Sequence, residues 1–379
     1  MRVLMLAQSP VAGDTRILRE ASALVGAGWK VDIVGRDVPA GFVPPIGVSV
    51  VSARAGRGLR PSEPTRPDTA TIRAARWLLL PEHRRSVERR WVDQAGALAR
   101  ELPKPGVVHA HDFNTLALGA ELAKTAGAHL VYDSHELWTG RPRIGRPTPA
   151  RKLLERRQEE LLGRRAAAVL TVGEGVAAAL RERYGWPHVH VVRNTFPAQP
   201  QPGLPPTEPS RAVYAGRLAP YRELEVIAAA SVRLDIPVSL VGPADPSWLA
   251  RFDAGRAQIL PPTSLDGVDR LLADGGLALV THSDRWPNHR LALPNKLFHA
   301  VRVGVPIVAT AVGELAKTIR EYGIGALYRP GDDRDLVRAV HDARTDYLSL
   351  RAAVMRATPA LTWPHDEAVL LAVYAGLQD

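Results

Sequence analysis

Short apolar runs recur along the chain and alternate with longer stretches of helical periodicity. In the first half, the runs at 2–7, 30–34, 48–52, 107–110, 129–132, 167–172 and 188–192 predict strands, and the stretches 15–27, 114–125 and 173–184 predict helices. Strands that are apolar at every position, not at every second one, are covered on both faces; strands separated by helices make a parallel sheet. A proline-rich stretch, TFPAQPQPGLPPTEPS from Thr195 to Ser210, has the composition of a linker. Beyond it the alternation restarts. Strands are expected at 212–215, 237–241, 258–260, 277–280, 306–310 and 326–328. Helices are expected at 222–234, 265–273, 294–303, 314–322, 333–345 and from His365. The pattern predicts an α/β chain of two doubly wound domains, 1–197 and 198–362, and a final helix in 363–379, which is expected to pack back on the first.

Ligands of such sheets bind beyond the carboxyl ends of the strands. Polar residues gather at those ends here: QSPVAGDTR after the first strand, then HDFNT, DSHELW and GRLAPYR. Four such clusters on one kind of edge point to a cleft with chemistry in it, although Asp14 and Asp112 would also serve as helix caps. The first turn lacks the glycines a dinucleotide needs, and no Walker lysine loop is present. No metal-binding motif stands out among twelve scattered histidines, and the absence of cysteine excludes disulfides, thiolate metal sites and thiol nucleophiles. Neither a metal nor a cofactor is expected.

The 379 residues suit two domains of ordinary size, and 46% apolar with 23% charged residues is the balance of a globular protein. No apolar run approaches the ~20 residues of a membrane-spanning helix. The opening MRVLMLAQSPVAGD turns polar quickly, as a buried strand does and a secretory signal does not, so a cytoplasmic location is expected. The net charge of +10 rests largely on arginine, the residue suited to bidentate phosphate recognition. Nucleic acid, an anionic membrane and a phosphate-bearing substrate compete as partners; no nucleic-acid module is visible. Arginines crowd the segment from Arg54 to Arg90, interleaved with Trp77, Leu78 to Leu80 and Trp91. This segment suits either peripheral contact with an anionic inner membrane face or a helix that buries its tryptophans.

The runs VVHAHDFNTLALG, LVYDSHEL, LTVGEGVAAALRERYG, VVRNTFP, VYAGRL and LPNKLFHAVRVGVPIVAT stand in an order that closely resembles glycosyltransferase family 4. The resemblance implies the GT-B architecture, two Rossmann-like doubly wound domains facing across a cleft. It also implies a nucleoside-diphosphate sugar donor, retention of anomeric configuration and no metal. The acceptor would be a hydroxyl on a polysaccharide, glycolipid or natural product. A same-fold pseudo-glycosyltransferase, a nucleotide-sugar epimerase and a non-catalytic nucleotide-sugar-binding subunit are the alternatives.

Roles follow position by position. Arg217 and Arg222 match the cations that neutralise the donor diphosphate, where fixed charge stabilises a departing anion without reorganisation. Glu223 stands where the family has glycine, so Arg222 could pair locally instead. Pro294 as first helical residue would leave the amides of Asn295 and Lys296 free to face an anion. Gly216, Asn194 and His299 fall on the donor nucleoside or sugar. His111 matches the histidine near the reacting sugar, as a positioning group, and Glu136 is the spare carboxylate for general base work. Asp14, Arg16, Asp112 and His135 fall on the acceptor side. The family's paired glutamates would sit at 291 and 299, where this chain has Leu291 and His299.

Overall fold

The computed structural model describes residues 1–54, 89–140, 149–199 and 206–378. Most of the arginine-rich segment, with Trp77 and Leu78 to Leu80, and the middle of the proline-rich stretch lie outside them. Two compact units divide the chain. Unit 1 takes Met1–Thr171, Ala179–His190 and Val369–Asp379; unit 2 takes Val172–Ala178 and Val191–Ala368.

Unit 1 is built on β1 (Arg2–Leu6), β2 (Lys30–Arg36), β3 (Val48–Ala53), β4 (Val107–His111), β5 (His129–Ser134), β6 (Ala168–Thr171) and β7 (Val189–Val191). They form one sheet in the order β3-β2-β1-β4-β5-β6-β7. The pairings from β3 across to β6 are parallel, with Val3 opposite Val107 and His111 opposite Asp133. The helices are α1 (Thr15–Gly26), α2 (described over 89–101), α3 (Phe113–Ala126), α4 (Pro149–Gly163) and α5 (Glu174–Tyr184). β1, β4 and β6 are buried along almost their whole lengths, as strands covered on both faces must be. Trp91, on α2, is fully buried in the core.

Unit 2 repeats the plan with β8 (Arg211–Ala215), β9 (Val238–Val241), β10 (Gln258–Leu260), β11 (Gly276–Val280), β12 (Ile307–Thr310) and β13 (Gly325–Tyr328), in the order β10-β9-β8-β11-β12-β13. All five pairings are parallel. Its helices are α6 (Leu224–Ser231), α7 (Pro246–Leu249), α8 (Leu265–Gly275), α9 (Pro287–Leu291), α10 (Asn295–Arg302), α11 (Gly313–Tyr322), α12 (Asp333–Thr345) and α13 (Tyr347–Ala357). Alternate residues of each strand face opposite sides. Val213, Val241 and Val280 therefore join one core layer with Leu297 and Phe298 of α10. Tyr214, Leu240 and Leu279 join another with Leu336 and Val340 of α12. The last helix, α14 (Trp363–Ala375), starts two residues before the His365 that the sequence pattern predicts. No described helix is long and apolar enough to cross a membrane.

One tight approach fixes the loop that leaves β8. Gly242, just after β9, has φ +145, and a Cβ there would land on the carbonyl oxygen of Gly216. Gly242→Ala combines an unfavourable backbone conformation with a clash, and should cost about 1–3 kcal/mol. Urea unfolding of the variant measures it; an unchanged midpoint would show that the two loops are not locked together.

Candidate functional site

In unit 1 the polar residues converge on Asp133, at the end of β5 and fully buried. His109 and His111 stand two apart on β4 and project from the same face, rings stacked at 4.2 Å. Asp133 lies opposite His111 in register and accepts from its Nδ1 at 3.1 Å. The same carboxylate accepts Arg16 Nε and Nη2, both at 2.8 Å, and His135 Nε2 at 3.0 Å. Because a carboxylate only accepts, His111 carries a proton on Nδ1, and its Nε2 is buried without a hydrogen-bond partner among the described residues.

Burial opposes ionisation of Asp133, but Arg16, His135 and the hydrogen bonds from both histidines outweigh it and hold the carboxyl well below its usual range. Burial likewise works against a charged His135, yet Asp112 and Asp133 raise it well above an ordinary histidine. His109 is pushed well down by burial and by His111. Glu20 is pushed up, mainly by burial. Tyr374, from α14, meets His109 Nδ1 at 2.7 Å.

Of the residues expected on the acceptor side, Arg16 and His135 bond to Asp133 directly and Asp112 reaches it through His135. Asp14 caps α1, accepting from Ile17 N. Asp112 occupies the cap position of α3 at φ +64, but its side chain makes no cap bond; it faces His135 Nδ1 at 3.3 Å instead. Arg16 is 3% exposed and committed to Asp133 and to Glu20 at 3.1 Å. Glu136 is half-buried, its carbonyl accepting the Ser134 hydroxyl. Glu20, His109, His111 and Asp133 each place one ligand atom within 4.8 Å of the others, a set with the composition of a metal site that their scatter in sequence concealed. Here the Arg16 guanidinium lies on both carboxylates and already supplies the positive charge.

In unit 2 the strand order reverses between β8 and β11, the switch point where open sheets take their ligands. The loop after β8 contains Gly216, Arg217 and Arg222, and bends through Tyr221 at φ +67 and Glu223 at φ +60. Left-handed backbone at a glutamate explains the family's glycine there. Glu223 accepts from Gly331 N at 2.7 Å, so it does not pair with Arg222. The Arg222 carbonyl accepts Thr281 Oγ1 at 2.6 Å, and its guanidinium has no carboxylate partner among the described residues. Arg217 is exposed, with its carbonyl held by Tyr214 Oη.

Lys296 comes from the first turn of α10, its Nζ 4.8 Å above the Tyr214 ring and 3.6 Å from where a Cβ on Gly216 would sit. It too lacks a carboxylate among the described residues, and burial, then Arg222, push it down to about 7. Pro294 is the cap of α10 (φ −73, ψ 144), not its first residue; the first turn starts at Asn295, so the exposed amides are those foreseen. Asn194 Nδ2 donates to Asn295 Oδ1 at 3.0 Å.

His299, one turn along α10, packs on Phe196 with ring centroids 4.2 Å apart. Its Nδ1 lies 3.5 Å from Asp269 Oδ1, whose other oxygen lies 3.3 Å from Arg302 Nη2. A carboxylate from α8 thus lies beside His299. Nothing in the local sequence around Asp269 announces this. His282, on the loop after β11, also escaped notice: it is 5% exposed, and neither ring nitrogen has a partner among the described residues.

Residues 13–195 match the model of the glycosyl transferase 4-like domain, and residues 209–346 match that of glycosyl transferases group 1. No curated protein matches the sequence. Among solved structures, sucrose-phosphate synthase from Thermosynechococcus elongatus is 17% identical with a TM-score of 0.73, covering 100% of this chain and 99% of its own. A glycosyltransferase from Rickettsia africae is 14% identical with a TM-score of 0.69, covering 100% and 98%. Anabaena HepE in complex with UDP is 16% identical with a TM-score of 0.67, covering 99% and 100%. With both domain models matched in order over a pair of parallel α/β sheets, the chain belongs to the GT-B glycosyltransferases of the family 4 type.

Proposed function

We propose that the protein moves a sugar from a nucleoside-diphosphate donor to a hydroxyl acceptor, with retention and without a metal ion. The observation that carries this is the group of cations at the switch point of unit 2. Burial and then Arg222 depress Lys296, Arg217 stands on the same loop as Arg222, and none of the three has an ion-pair partner among the described residues. For Lys296 and Arg222, which are partly buried, an uncompensated charge is costly unless an anion is to be bound there. The amides at the start of α10 add donors of the same sign. HepE has been solved with UDP and with UDP-glucose, which supports a nucleotide sugar as the ligand.

As the bond to the anomeric carbon breaks, charge grows on the departing diphosphate, and fixed cations stabilise it more than they stabilise the bound donor. Arg217, Arg222 and Lys296 then do the work that a metal does elsewhere. The released phosphate oxygen takes the acceptor proton. His111 contributes position: with Nδ1 tied to Asp133, its Nε2 is held in place to meet a hydroxyl.

Calorimetric titration with UDP, ADP and GDP in excess chelator tests the reading. One of them should bind, and Arg217→Ala should weaken it about tenfold or more, the worth of a charge-assisted hydrogen bond. Binding that requires added metal, or an unchanged affinity in the variant, would remove the proposal.

A further inference from the structure

His282 belongs to none of the roles above, yet its surroundings are those of a ligand contact. The loop that carries it leaves β11 at the switch point, beside the loop that carries Arg222. Its backbone is fixed by a bond from His282 N to Thr310 Oγ1 at 2.9 Å. The charged and titratable groups that act on its ring are Lys296 from α10, Arg222 from the loop after β8 and His289 from α9, the last with ring centroids 5.2 Å away. A buried imidazole uses at least one of its nitrogens in nearly every protein. This one uses neither among the described residues, and it is set against two cations that lack a carboxylate there too.

We propose that His282 touches the donor diphosphate directly and takes a proton from solvent as that anion enters. The inference rests on the reading of this corner as the donor site. In the free protein, burial and the positive groups around it, Lys296 foremost, push the imidazole down to about 2, so the ring is neutral. An entering diphosphate reverses both effects, since it neutralises Lys296 and Arg222 and presents oxygen acceptors to the ring. One proton passes from solvent to a ring nitrogen; no bond of the ligand is made or broken. The protonated ring is a double donor, and a phosphate oxygen can accept from it.

The experiment is calorimetric titration of UDP-glucose, ADP-glucose and GDP-mannose at pH 6, in buffers that differ in ionisation enthalpy. At this pH Lys296 already carries its proton, and the diphosphate of a nucleotide sugar has no group that titrates nearby. For the donor that binds, the wild type should take up about one proton per ligand. His282→Asn should take up almost none and bind about tenfold more weakly, while His289→Asn keeps the uptake. His282→Leu should unfold at no lower urea concentration than wild type, because the nitrogens it removes have no partner among the described residues. Binding without proton uptake, uptake undiminished in His282→Asn, or a marked loss of stability in His282→Leu would overturn the assignment. If none of the three donors binds the wild type, the donor-site reading itself falls, and this inference with it.

Discussion

Lys296→Met should give a protein that is more stable when empty and unable to hold a nucleoside diphosphate. The ammonium of Lys296 rests on the Tyr214 ring with no carboxylate among the described residues, and its pKa is pushed down to about 7 from 10.5. Each unit of such a shift is about 1.4 kcal/mol against the charged form. Lys296 is half-buried, so solvent recovers part of that, and roughly 2–4 kcal/mol is the expected gain on replacement. The sign with pH is fixed. Below pH 7 the lysine is charged in both folded and unfolded chains, and the full penalty applies. Between pH 7 and 10.5 the folded chain sheds the proton while the unfolded chain keeps it, so the wild type gains stability; above 10.5 the penalty is gone. Urea unfolding at pH 6 and pH 9.5 should therefore show the variant well ahead at the lower pH and nearly level at the higher. Nucleotide binding moves the other way, since affinity for the diphosphate should fall as pH rises past 7 and the free lysine loses its charge. A variant less stable than wild type at pH 6 would mean that Lys296 is held by the fold for its own sake.

The second large effect concerns Arg16. Arg16→Met should cost about 3–5 kcal/mol, the usual result of stranding one member of a buried ion pair. Asp133 would keep only its two histidine partners in a fully buried position. Its carboxyl now ionises well below the usual range, so its stabilisation is present above the ordinary pKa near 3.8 and is lost as pH falls through the depressed value. Without Arg16 that loss should begin at higher pH, and urea midpoints between pH 4 and pH 8 would show the acid limb displaced upward. Arg16→Lys keeps the charge but not the two parallel bonds, and should fall between the two. A methionine variant as stable as wild type would mean that Asp133 is protonated or solvated in the folded chain.

The strands of both sheets could be read from the chain because parallel strands are apolar at every position, and the runs VLML, IVAT and ALV have no other use. The short helices α7 and α9 escaped because they are single-turn features that begin at a proline and bury little. Arg217, Arg222 and Lys296 stand out in the chain because the family resemblance expects cations next to that turn and that helix start. Asp133 was not, since an aspartate inside LVYDS looks like a strand end, and its partner Arg16 is 117 residues away. Asp269 was hidden in the same way: His299 was visible as a substitution, but the carboxylate behind it comes from a different helix. His282 looked like one scattered histidine because burial, not sequence, isolates it. In each case the missing information was the company a residue keeps across the fold.

The position of Tyr374 has a consequence for how the chain is made. Its ring is fully buried, packs edge-on against Trp29 at 5.3 Å and holds His109 through its hydroxyl. It belongs to unit 1, but a ribosome reaches it only after the whole of unit 2 has been translated. Domains ordinarily close as they emerge; this one must wait with a gap over a buried histidine while its neighbour folds. Premature termination before Tyr374 should yield a chain whose second sheet can form but whose first cannot be completed, which fits it for degradation rather than for partial activity.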